Sequence, residues 1–306
     1  MISREEVREA LTGPVASLST PFTFDGEVDY VGLRKLIDGN LTGGSNSSLL
    51  TYGDSLFTLL SDDEISDVTR VVVDQTGKRG LTVAADGGWW TGKTVEFARY
   101  CREIGADVLM VKPPIWGGSV TVDTLVAHYQ EVAAEIPIML VTNLWAANPS
   151  QGLKTIEVVL DKVDGVVAIK DDILGQFVRE MTAMVSDEWA VFAGGQKQNH
   201  LDIVHYGAVG YMSTFVSFHA PITHQYWDAV NQGNWTGAAN IIAEHEWPFF
   251  EYIGGLNGGF DAGMHGLLEL SGVAGRWRRK PFHSLNDQEL EGLKAFCQSH
   301  GWLVSV

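Results

Sequence analysis

Val166-Val167-Ala168-Ile169-Lys170, followed at once by Asp171 and Asp172, is the stretch on which the fold turns. A short apolar run does not by itself separate a strand from a helix segment, so its length and flanks decide. Four apolar residues between Gly165 and a charged cluster fit a strand buried on both faces. In a parallel α/β protein the carboxyl end of such a strand is where ligands bind. Lys170 stands at that tip with two readings open. One is a surface lysine paired with Asp171 or Asp172; the other is an amine kept partly neutral by burial, able to attack a ketone and form a Schiff base.

Working outward, the same kind of run recurs along the chain. Val15–Phe22, Ser48–Thr51, Leu81–Ala85, Val108–Val111 and Pro137–Val141 precede it. Ala190–Ala193 and a strand within Gly207–Thr214 follow. Between them lie helical patterns, one capped by Asp29 and one opened by the capping box Ser61-Asp62-Asp63-Glu64. Strands alternating with helices at roughly 25 to 30 residues per unit give an α/β fold, the (β/α)8 TIM barrel. The barrel is expected over residues 1–219 and a C-terminal helical appendage over 220–306, with Gly254–Gly259 as a loop.

Composition narrows the function. The net charge of −17 argues against nucleic acid or an anionic membrane surface as partner. The charged start Ser3-Arg4-Glu5-Glu6 lacks the apolar core of a signal peptide, and no apolar run has the length of a membrane span. A cytoplasmic protein is expected. Cys101 and Cys297 read as reduced core thiols, and none of the nine histidines shows metal-ligand spacing. No dinucleotide or Walker glycine loop appears.

In order and spacing, these segments resemble the dihydrodipicolinate synthase / N-acetylneuraminate lyase family of Schiff-base aldolases and dehydratases. Gly165-Val166-Val167-Ala168-Ile169-Lys170-Asp171 is similar to that family's imine-lysine motif, and Gly207-Ala208-Val209-Gly210-Tyr211-Met212-Ser213 to its last barrel strand. Thr20-Pro21-Phe22, Gly105-Ala106-Asp107 and Arg279-Lys280-Pro281 add weaker matches. The resemblance implies Lys170 as nucleophile toward a small-molecule 2-oxo acid or related ketone, and no cofactor, because the lysine itself provides the electron sink. It also implies a homo-oligomer, dimer or tetramer.

Several family features are altered. The proton-carrying tyrosine at the end of the fifth strand is replaced by Val141 or Thr142. Choosing Thr142, which keeps Asn143 matched to the family's asparagine, makes a threonine with water the proton relay. The carboxylate cradle reads Gly53-Asp54-Ser55, with Ser55 and loop N–H groups expected to hold a carboxylate. Asp54 would repel a carboxylate, and either binds a hydroxyl or amine or caps its turn. Trp116 stands where the family has a second tyrosine, and no arginine follows the fifth strand, so lysine biosynthesis is not expected. Gly195 and Tyr211 are expected to offer backbone groups to the substrate. Trp89, Trp90, Trp116, Trp145, Asp54 and Asp86 all follow strand ends and are candidates for the mouth, while Lys112 is matched to an apolar position and expected to point away from it. Two other functions stay open: a ligand-binding or assembly barrel without imine chemistry, and an enzyme using Asp54 or Asp86 as acid or base.

Overall fold

The computed structural model describes residues 2–112 and 117–303. Eight parallel strands close in chain order: β1 (Gly13–Ser17), β2 (Ser47–Leu49), β3 (Leu81–Ala85), β4 (Val108–Val111), β5 (Ile138–Val141), β6 (Val166–Asp171), β7 (Ala190–Ala193) and β8 (Gly210–Met212). Closure is made by β8 on β1, with Gly13 opposite Gly210 and Val15 opposite Met212. The TIM barrel read from the sequence is therefore the fold. Several of its helices begin where a side chain replaces a missing hydrogen-bond partner. Asp29 accepts from Gly32 N at 2.9 Å ahead of the helix Tyr30–Thr42, and Ser61 and Glu64 complete their reciprocal box.

Two expectations need correction. The first strand stops at Ser17 instead of running to Phe22. Pro21 has no N–H for a ladder, and Phe22 makes only isolated bridges to Val28 and Trp277. The region after β8 is not helical throughout. The helices Ala220–Asn231, Trp235–Ile241, Trp247–Gly254, Gly259–Leu270 and Asp287–Ser299 are interrupted by an irregular stretch at 271–286 containing Pro281. There Arg278 Nε donates to His283 O at 2.7 Å, so a side chain supplies the bonds that a helix would have made.

The main apolar core lies between the strands and their helices, and a second cluster forms around Phe215, Phe249, Leu267, Leu293 and Trp302. The two meet at a buried ion pair. Lys197 Nζ lies 3.4 Å from Glu246 Oε1, with the side chains 0% and 2% exposed. Glu246 also accepts from the backbone N of Lys197 at 2.9 Å and of Gln198 at 3.2 Å. Among the described residues no helix is long and apolar enough to cross a membrane.

Candidate active site

Period-two alternation along β6 turns Val166, Ala168 and Lys170 to one face and Asp171 to the other. Lys170 reaches the carboxyl mouth at 7% exposure and lines two adjoining cavities. The smaller, about 210 Å³, is bounded by Thr51, Tyr52, Lys112, Val141 and Asn143. The larger, about 360 Å³, is bounded by Ser17, Gly195, Met212, Ser213, Phe250 and Phe260. Asp54, Lys170 and Asp172 border both, so they form the waist between them.

The lysine is an ion-paired group facing open space. Its Nζ donates to Asp172 Oδ1, and not to Asp171. Asp54 completes the cluster. Burial pushes its carboxyl above the ordinary range, opposed by the Lys170 charge and the nearby Ser17 hydroxyl.

Asp171 instead ties the strand ends together. Its Oδ1 accepts from Thr142 Oγ1 at 2.9 Å and Ile173 N at 3.2 Å, and its Oδ2 from Leu174 N at 3.0 Å. Thr142 Oγ1 in turn accepts from Asp172 N at 2.8 Å. Thr142 is thus fully buried on the outward face, and its role as proton relay is not supported: Val141, opposite Lys170 in the β5–β6 register, takes the inward place. Thr142 positions the segment carrying Asp172.

Ser55 is also turned from the cavity. Its hydroxyl donates to Leu18 O at 2.6 Å and accepts from Thr51 N at 3.0 Å, so it holds the β2 loop together and has no donor left for a substrate. Tyr211 packs outward against Tyr226 and Trp227, and its OH donates to Thr223 O at 3.2 Å. Met212 and Ser213 line the cavity in its place. Asp54, Asn143 and Gly195 do line the cavities; Trp116 lies outside the described residues.

The expected aromatic mouth does not assemble among the described residues. Trp145 is buried behind β5 against Gly152, Trp89 packs edge-on to Phe97, and Trp90 is 69% exposed. The aromatic walls are Tyr52, Phe250 and Phe260. Phe250 and Phe260 come from the C-terminal helices, whose approach to the mouth no local pattern announces. Lys112 was expected to point away, yet its Nζ sits 3.4 Å from the centre of the Tyr52 ring inside the smaller cavity. Alternation from Met110, two residues earlier on the same face, is the signal that finds it.

Asp86 is buried outside the lumen. Its Oδ1 accepts from Lys112 N at 2.9 Å and Gly88 N at 3.2 Å, and its Oδ2 from Thr94 Oγ1 at 3.2 Å. Burial raises its carboxyl from 3.8 to about 7. Between those values the folded chain holds a proton that the unfolded chain has lost, so this contribution to stability is full below about pH 4 and disappears as pH rises through about 7. Its size is about 4 kcal/mol. Asp86→Asn keeps the acceptor for both N–H groups and removes the titration. Its melting temperature is expected to vary less than wild type between about pH 4 and 8. Parallel curves for the two proteins would refute this assignment.

Comparison with known proteins places the chain in a family. Residues 10–300 match the model of the Dihydrodipicolinate synthetase family, and the chain belongs to that family. It is 31% identical over 291 residues to 4-hydroxy-tetrahydrodipicolinate synthase 1 of Streptomyces coelicolor, covering 92% of this chain and 91% of the relative. Among solved structures it resembles N-acetylneuraminate lyase from Fusobacterium nucleatum, with TM-score 0.83, 18% identity and coverage of 96% and 100%. It also resembles YagE, a prophage protein of E. coli K12 solved in complex with pyruvate, with TM-score 0.81, 22% identity and coverage of 95% and 99%. The family includes lyases.

Proposed function

We propose that this protein is a class I lyase, an aldolase or dehydratase in which Lys170 forms an imine with a 2-oxo acid, and not an authentic dihydrodipicolinate synthase. The observation that carries this reading is a lysine at the carboxyl tip of β6 that lines both cavities while paired with Asp172. An ammonium and a ketone give a protonated imine and water, so the nitrogen bears one positive charge before and after. Asp172 is a suitable counter-ion at both stages, and the ion pair does not oppose the chemistry. The amine needs only to lend its proton while it adds to the carbonyl carbon. Asp54, with its raised pKa and its place at the waist, is the carrier this reading assigns in place of Thr142.

The protonated imine then accepts the electron pair of a breaking carbon–carbon bond, or assists loss of water one carbon further on. The ketone half occupies the smaller cavity. The larger one, walled by Phe250 and Phe260 with Ser17 and Thr214 at hand, takes the remainder of the substrate. A cytoplasmic homo-oligomer completes the proposal, supported by the family resemblance and by the exposed indoles of Trp90 and Trp247.

Borohydride trapping with pyruvate and a panel of 2-oxo acids, followed by peptide mass spectrometry, tests it. A reduced adduct is expected on the Lys170 peptide and none in Lys170→Ala. Failure of every ketone to label Lys170 would overturn the imine. It would favour the second reading, a ligand-binding barrel whose Lys170–Asp172 pair is structural.

A further inference from the structure

With Ser55 committed to backbone, the carboxylate of a 2-oxo acid has lost the side-chain partner expected for it. The smaller cavity contains another. Lys112 lines it together with Lys170 and Asn143, its ammonium against the Tyr52 ring at the tip of β2. Among the described residues Lys112 has no carboxylate partner. The acid nearest to it in the bonding pattern, Asp86, faces its backbone N–H and the Thr94 hydroxyl. Partial burial disfavours the charged amine and pulls its pKa below the usual lysine value, a cost that an incoming anion relieves.

The neighbouring loop adds donors. The N–H groups of Thr51, Asp54, Ser55 and Leu56 are all used within the loop. Those of Tyr52 and Gly53 have no acceptor among the described residues, and both residues line this cavity. Charge is also distributed unevenly. Asp54 and Asp172 border both cavities, whereas Lys112 borders only the smaller one. Lys112 thus puts a cation on the β4 side of the smaller cavity, which Asp54 and Asp172 also border.

We infer that Lys112 is the charged side-chain partner of the substrate's carboxylate, in the place expected for Ser55 and beside the loop N–H groups of Tyr52 and Gly53. This rests on the imine reading above and fixes the direction in which the substrate lies: carboxylate toward β2 and β4, carbonyl at Lys170, remainder toward Phe250 and Phe260. Hydrogen bonds between an ionised donor and an ionised acceptor are about twice as strong as neutral ones.

The test compares pyruvate with its neutral methyl ester in borohydride trapping of the full chain. Lys112→Met is expected to raise the half-saturating pyruvate concentration roughly 10- to 100-fold, to leave methyl pyruvate nearly unchanged, and to be largely rescued by Lys112→Arg. Equal shifts for both ketones, or no shift for pyruvate, overturn the subsite while leaving the imine intact. A second measurement needs no imine: calorimetric binding of pyruvate to Lys170→Met, with and without Lys112→Met. Weaker binding in the double variant supports the subsite even if wild type traps nothing, in which case only the imine falls. Equal affinity in the two proteins, or none in either, overturns the subsite.

Discussion

Gly194→Ala is expected to lower the rate of imine formation at Lys170 by about 100-fold with the barrel still folded. Gly194 follows β7 directly, and its backbone N donates to Asp171 O at 2.8 Å. A methyl group built there would meet Asp172 Oδ1 at 2.1 Å, Asp171 O at 2.5 Å and Lys170 Nζ at 2.9 Å. One of these atoms is backbone and cannot yield cheaply. The other two are the ion pair itself, so the change pushes Asp172 and the amine off their positions. Displacement of this order in a reacting group typically costs orders of magnitude in rate. The measurement is the trapping rate at saturating ketone, set beside circular dichroism and the melting temperature. A rate within a few-fold of wild type would show that the Lys170–Asp172 arrangement is dispensable for the chemistry.

The largest effect on stability is expected at Glu246. Glu246→Ala leaves Lys197 fully buried without its counter-ion and strips the acceptor from two backbone N–H groups. Removing one partner of a buried pair costs about 3–5 kcal/mol. Lys197 retains Ser213 Oγ at 3.3 Å and the rings of Phe215 at 4.6 Å and Tyr211 at 5.8 Å, none of which neutralises it. Burial already pulls the Lys197 ammonium below its usual pKa, so the variant is expected to regain some stability at alkaline pH as the amine sheds its proton. Glu246→Gln keeps an acceptor for the backbone and should lose less. Urea unfolding of the three proteins decides it; a loss below about 1 kcal/mol in Glu246→Ala would mean that the pair is solvated and the joint between the two cores is held by apolar contact alone.

Much of the barrel was legible because buried parallel strands are short apolar runs between turn residues. β3, β4 and β7 fall where those runs fall. Lys170 was legible for the same reason: its run ends in a charge at the strand tip. The neighbours were harder. On β5 the choice between Val141 and Thr142 is a one-residue shift, and in a period-two element such a shift exchanges the faces. Matching Asn143 to a family position selected the outward residue. Lys112 was misplaced by the same preference for alignment over alternation. The tryptophans misled because a residue after a strand tip can turn toward the following helix as readily as toward the lumen; Trp145 and Trp89 did so. Phe250 and Phe260 were beyond reach of any local pattern, since only the packing of helices long after β8 brings them to the mouth.

The two cavities meeting at Lys170 draw their walls from distant parts of the chain. Barrel strands and their loops enclose the carboxylate end, while the larger chamber borrows two phenylalanines from beyond the last strand. Under the proposed reaction, what activates the ketone and what selects its companion are written in separate stretches of sequence. Exchanging the residues at 250 and 260 would retune the tail that is accepted and leave the electron sink as it stands, so new substrates are open to this fold without rebuilding its chemistry.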